Sequence, residues 1–142
     1  MKALSVVFLG FLLTISVSDA NAQKRVGGKL LKGYDVIYPF KNGKAKVVKA
    51  GKVGYIDPTG EEIIKPEFDN IMPFEKGIAR VEVGLLVGLI NEQGELLLEP
   101  VYESISNKRD NIFVLTRKGK KGLVKITGPS PDLVEYIVDI RD

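Results

Sequence analysis

One feature dominates this chain, a fixed period of 34 residues. Tyr34, Phe68 and Tyr102 keep that step, as do Gly54, Gly88 and Gly122. So do Gly60, Gly94 and Gly128, and Pro66 and Pro100. A period held without insertions marks a repeat architecture and fixes the frame for every other residue. The units run over 34–67, 68–101 and 102–135. A unit this short cannot bury an apolar face alone, so the copies must stack.

Each unit reads as strands joined by tight turns. The pattern at 45–48 alternates, as does Ala79-Arg80-Val81-Glu82-Val83, while Ile112-Phe113-Val114-Leu115-Thr116 is apolar on both faces. Periodicity turns positions 45, 79 and 113, and 47, 81 and 115, toward the core. A second strand carries the repeated glycine at 54, 88 and 122, followed by Ile56, Ile90 and Val124. A glycine inside a strand implies a bulge or a close approach. The expected neighbour is a side chain, the aromatic at 34, 68 or 102. Asp57-Pro58-Thr59-Gly60 and Asn91-Glu92-Gln93-Gly94 have the chemistry of type I turns closed by a left-handed glycine. A third strand follows and is expected to stop at Pro66 and Pro100, because proline cannot donate to a ladder. No window of helical periodicity with a cap interrupts this. The fold class predicted is all-β: three stacked antiparallel β-meanders of 34 residues, each with a short extra extended piece, in an open, solenoid-like stack or curling toward a barrel. Residues 29–31 stand where a preceding strand would cap unit one. Residues 133–140 stand where a strand should close unit three, with Tyr136 in the aromatic register.

Residues 1–22 have the pattern of a cleaved secretory signal helix. Lys2 precedes an apolar run over 3–17, and Ala20-Asn21-Ala22 supplies small residues for a peptidase. The run falls short of the ~20 residues a spanning helix needs. The expectation is a secreted or periplasmic domain over 23–142, with cleavage after Ala22 and no stable membrane insertion.

Composition then narrows the chemistry. The chain has no Cys and no His. That removes disulfides, lipid attachment at a leader cysteine and the usual zinc, copper, haem and iron–sulfur ligands. It also removes a cysteine nucleophile and a histidine base. Glu61-Glu62 is the one adjacent acid pair, and successive strand residues face opposite ways. No catalytic residue, cofactor or metal ligand is therefore assigned. The net charge of +3 hides a segregation. Residues 24–54 carry nine basic side chains and one acid, 55–103 three basic and eleven acidic, and 104–142 eight basic and five acidic. Such blocks either steer an anionic partner or neutralise one another across neighbouring strands.

The residues Tyr34, Asp35, Ile37, Pro39, Phe40, Gly43, Ala45, Val47, Gly51, Lys52, Gly54, Tyr55, Ile56 and Asp57 form an ordered pattern. It recurs at Phe68, Asp69, Ile71, Pro73, Phe74, Gly77, Ala79, Val81, Gly88, Ile90, Asn91, Gly94 and Pro100. This pattern resembles the WG, or KWG, repeat family over residues 34–128. The resemblance implies an all-β repeat, often exported or surface-associated, that mediates interactions. It implies no catalytic residue. The tryptophan that names the family is replaced by Val53, Val87 and Lys121, and unit two has Leu85-Leu86 where unit one has Gly51-Lys52.

That substitution marks the candidate site. Lys49 and Lys52 stand at the first hairpin tip and Lys118, Lys120 and Lys121 at the third, so a Leu85-Leu86 tip flanked by lysines forms a partner-binding edge. The alternative is that both leucines fold into the core. The partner expected is an envelope or surface macromolecule, a protein or an anionic polymer. Without interleaved aromatics the lysines make no stacking platform for nucleic acid. Edge-to-edge self-assembly is the competing expectation. The acid at 35, 69 and 103 is expected to cap a turn or pair with a neighbouring lysine.

Overall fold

A computed structural model describes residues 25–26, 29–31 and 33–140; the leader at 1–22 and its predicted signal helix lie outside them. Strands β1 (Arg25–Val26) and β2 (Lys29–Leu30) form a small antiparallel pair. Three separate four-stranded antiparallel sheets follow in chain order. The first holds β3 (Val36–Ile37), β4 (Ala45–Lys49), β5 (Lys52–Ile56) and β6 (Glu62–Phe68). The second holds β7 (Asn70–Ile71), β8 (Ile78–Val83), β9 (Leu86–Asn91) and β10 (Leu96–Tyr102). The third holds β11 (Ser104–Arg109), β12 (Ile112–Arg117), β13 (Lys120–Ile126) and β14 (Val134–Val138). Among the described residues the sheets stay separate and do not close into a barrel. The predicted meander is right, and the extra extended piece is the first strand of each sheet.

The third strand does not stop at its proline. β6 runs through Pro66 to Phe68, and β10 through Pro100 to Tyr102. Tyr55 pairs with Ile64, but the next pair, two residues back on β5, is Val53 with Phe68, four residues on along β6. The surplus residues arch out as a bulge, where a missing N–H costs no ladder bond. In the first two units this arch, not an aromatic ring, lies over the repeated glycine, while Gly122 meets Val138 O and the Ile140 side chain. A Cβ on Gly88 would sit 2.5 Å from Leu98 O and 2.7 Å from Pro100 N, and Gly54 meets the same backbone atoms of Ile64 and Pro66. Glycine and proline are thus two halves of one device. The aromatic that follows, placed at the head of a unit by the period, ends the preceding sheet. The acid after it carries the chain across to the next.

Unit three departs from the frame. Val124 pairs with Tyr136, and the hairpin extends through Ile126↔Val134. In unit two the matching residue, Ile90, pairs with Leu96 and the turn follows at once. The detour through the 3-10 turn Pro131–Leu133 adds six residues. Tyr136 therefore corresponds to Leu96, and its aromatic register is a coincidence of numbering. Gly60 and Gly94 both take φ +87° in their turns, while Gly128 is absent from the left-handed region.

The core lies between sheets. Val53, Ile64 and Phe68 of the first sheet pack on Ile71, Ala79, Val81 and Ile90 of the second. Val87, Leu98 and Tyr102 of the second pack with Ile105, Leu115, Val124 and Ile126 of the third. The inward positions predicted at 45, 47, 79, 81 and 115 are buried, and Phe113 is partly so. Ala45, Val47 and Ile56 are covered by Leu31, Tyr34 and Ile37. The segment after β2 and the first aromatic therefore cap that end. At the far end Lys121, exposed, stands where Val53 and Val87 are buried, because among the described residues no further sheet covers it. The charge blocks also meet across the first junction, where Lys44 Nζ lies 3.2 Å from Glu92 Oε2 and Lys52 Nζ 2.5 Å from Asp69 Oδ1.

Candidate functional site

The site is built by three β-hairpin tips. In the first, Ala50 (φ +50°) and Gly51 (φ +75°) make a two-residue turn closed by Lys49 paired with Lys52. In the third, Lys118 (φ +50°) and Gly119 (φ +73°) do the same between Arg117 and Lys120. Positive φ at both central residues is the type I′ pattern. Unit two has its glycine one position earlier. Only Gly84 (φ +59°) is left-handed there, which is the type II′ pattern. The second central position is then free to carry a full side chain, and it carries Leu85.

Leu85 is 94% exposed and Leu86, which pairs with Val83, is 38% exposed. The alternative of two core leucines is thereby ruled out. Burying a leucine is worth roughly 1.5–3 kcal/mol. The fold forgoes that at its second tip, where neighbouring tips have alanine–glycine and lysine–glycine.

Asp69 locks the first two tips together. Its Oδ2 accepts from Gly84 N at 2.6 Å and its Oδ1 from Lys52 Nζ at 2.5 Å. The ammonium, first, and the Gly84 amide hold this carboxyl below the ordinary aspartate range. Asp35 repeats half of this, accepting from Ala50 N at 2.6 Å. In the first two units the recurring acid is therefore a tip anchor, in line with the turn-capping or lysine-pairing role expected from sequence. Lys52 is spent on that anchor, and Lys49 holds its ammonium 5.9 Å from the centre of the Tyr34 ring. Lys118 and Lys120 are exposed at the third tip, and Lys121 lies on the uncovered end of the stack. The second tip thus presents an exposed Leu85-Leu86 pair, while the equivalent tips carry Lys49 in the first sheet and Lys118 and Lys120 in the third.

Other polar residues of the repeat hold turns. Asp57 Oδ1 accepts from Thr59 Oγ1 at 2.6 Å, Thr59 N at 2.8 Å and Glu61 N at 3.0 Å, which lowers its pKa. Asn91, fully buried, accepts from Gln93 N and Glu95 N and donates to Glu95 Oε2 and, across the junction, to Pro129 O at 3.0 Å. Sequence reasoning treated 91 as a turn position and missed that bridge; the change from Asp57 to an amide able to donate is its only trace. Tyr34 donates to Glu62 Oε1 at 2.8 Å, and burial together with that carboxylate pushes its pKa up to about 12. Among the described residues no group of three or more Asp or Glu could hold a metal ion.

Three stacked four-stranded meanders whose turns, acids and glycines recur in phase define a β-repeat protein. The family described as WG containing repeat matches residues 32–52, 54–84 and 88–121. That is more than half of the chain, and the protein belongs to this family. No curated protein and no solved structure gives a match.

Proposed function

We propose that this protein is an exported interaction module that binds another macromolecule of the cell envelope or surface through the Leu85-Leu86 tip. One observation carries the reading: a fully formed tip, anchored by Asp69, holds a leucine 94% in solvent. A large exposed apolar side chain on a rigid support, rimmed by cations, is the composition of a docking anchor. Membership of a repeat family supports binding over catalysis, as does the lack of Cys and His. The leader pattern at 1–22 supports export. The reading assigns no catalytic step to any residue.

The test places a photo-crosslinking amino acid at position 85 in cells and, as control, at position 51. A discrete product from 85 alone is expected. Identical products from both positions, or none from 85, refute the reading. A second reading, self-association, is favoured by β14, an edge strand without proline whose Ile137 and Val138 are 50% and 44% exposed. Sedimentation as a monomer at all concentrations disposes of it.

A further inference from the structure

The two junctions between sheets are built from equivalent positions but are not filled alike. At the first, Tyr55 packs edge-on against Phe74, with ring centroids 5.8 Å apart. Lys44 lies 4.3 Å from the centre of the Phe74 ring and reaches Glu92. These four side chains plug the junction. Their counterparts 34 residues on are Leu89, Lys108, Ile78 and Ile126. Both rings are gone, Lys108 is exposed, and the salt bridge has become two aliphatic side chains. What remains is a cleft of about 650 Å³, within the usual size of small-molecule sites.

Its chemistry is specific. Ile78, Leu89, Ile105, Phe113 and Ile126 give it apolar walls. Arg80, the counterpart of Lys46, also lines it. The Arg80 Nε is shielded from solvent and has no hydrogen-bond partner among the described residues. The Glu82 carboxylate, 3.9 Å away, forms a loose ion pair with Arg80, whose side chain is 41% exposed, but lies beyond hydrogen-bonding reach of Nε. Lys76 adds a second cation, and Glu75 is the one acid in the lining. A shielded N–H without an acceptor is costly, the rest of the guanidinium stays open to a ligand, and the fork of arginine matches a carboxylate. The cleft lies at the end of the β8–β9 hairpin remote from Leu85, so it is independent of the docking edge.

We propose that this inter-sheet cleft binds a small amphipathic carboxylate, its chain between the aliphatic walls and its carboxylate on Arg80. The experiment titrates the folded, nitrogen-15-labelled protein with decanoate and, separately, with decanol, following the Arg80 Nε–H signal and the Ile78, Leu89 and Ile126 amides. Decanoate should shift these signals saturably and bind at least about tenfold tighter than decanol, the least that a charge-assisted hydrogen bond is worth. Arg80→Gln should lower decanoate affinity to that of decanol with an unchanged amide fingerprint. Leu89→Tyr, which restores the residue of the first junction, should weaken both ligands. Equal affinity for the two ligands overturns the proposal. So does full decanoate affinity in Arg80→Gln, a perturbation centred elsewhere, or no saturable shift.

Discussion

Replacing Gly88 by alanine probes the device that sets this fold. The new methyl carbon would stand 2.5 Å from Leu98 O, 2.7 Å from Pro100 N and 2.9 Å from Glu99 C. All three are backbone atoms of the β10 arch, so no rotamer change relieves the contact. Ordinary contact requires the arch to lift by somewhat under 1 Å, away from a core that includes Leu98 and Tyr102. Overpacking of a core costs about 1–3 kcal/mol, and a clash with backbone belongs at the upper end. For a domain of this size about 3 kcal/mol lowers the melting temperature by roughly 10 °C. Gly122→Ala should cost less, about 1–2 kcal/mol, because two of its three nearest atoms belong to the Ile140 side chain and β14 is an edge strand. Gly119→Asn is the control: it meets nothing within 4 Å, and asparagine tolerates positive φ. Thermal unfolding followed by far-ultraviolet circular dichroism reads all three. A Gly88→Ala protein that melts within about 2 °C of the parent would refute the glycine–arch account, as would a larger loss from Gly119→Asn.

Asn91→Ala should destabilise by about 2–3 kcal/mol in urea titration, since it strands two turn amides and the Pro129 carbonyl. Asn91→Asp should recover only part of this, because a carboxylate cannot donate to Pro129 O and would face Glu95. The Asp69 anchor sets a pH dependence. Its folded pKa is depressed, so its contribution is complete above the ordinary value near 3.9 and is lost as pH falls through the folded pKa. The Gly84 amide proton, followed by NMR, should move with a midpoint below that of a free aspartate, and Asp69→Asn should abolish the step. In alkali, tyrosinate absorbance should show Tyr34 ionising near 12, a step that Tyr34→Phe removes.

The period made the stacking legible, alternation placed the inward faces of β4 and β8, and the repeat frame carried that assignment over to β12. Proline was misread because its local rule, no donor to a ladder, is true but insufficient. A strand can carry proline through an arch when its neighbour supplies a glycine to lie under it, and only the pairing shows that Gly54 and Pro66 meet. Tyr136 misled for a different reason. Numerical phase survives an insertion only by accident, and unit three lengthens its last hairpin without breaking any motif that precedes it. The site was half legible. Leu85-Leu86 stood out as a departure from the frame, but exposure depended on a turn type fixed by moving one glycine. Lys52 looked free to meet a partner, yet its ammonium is committed to an aspartate 17 residues away. The open second junction was hidden altogether, because its signal is the loss of two aromatic side chains that touch only in the folded first junction.

The central claim, that the second tip is kept apolar for a partner and not for the fold, is tested most directly by Leu85→Ser with Leu86→Ser. Melting temperature and capture of the partner identified by crosslinking through position 85 should be read on the same protein. The account predicts melting within about 2 °C of the parent, since exposed substitutions cost little, and capture reduced at least about tenfold, as expected for loss of an apolar anchor. A large fall in melting temperature, or undiminished capture, would contradict it.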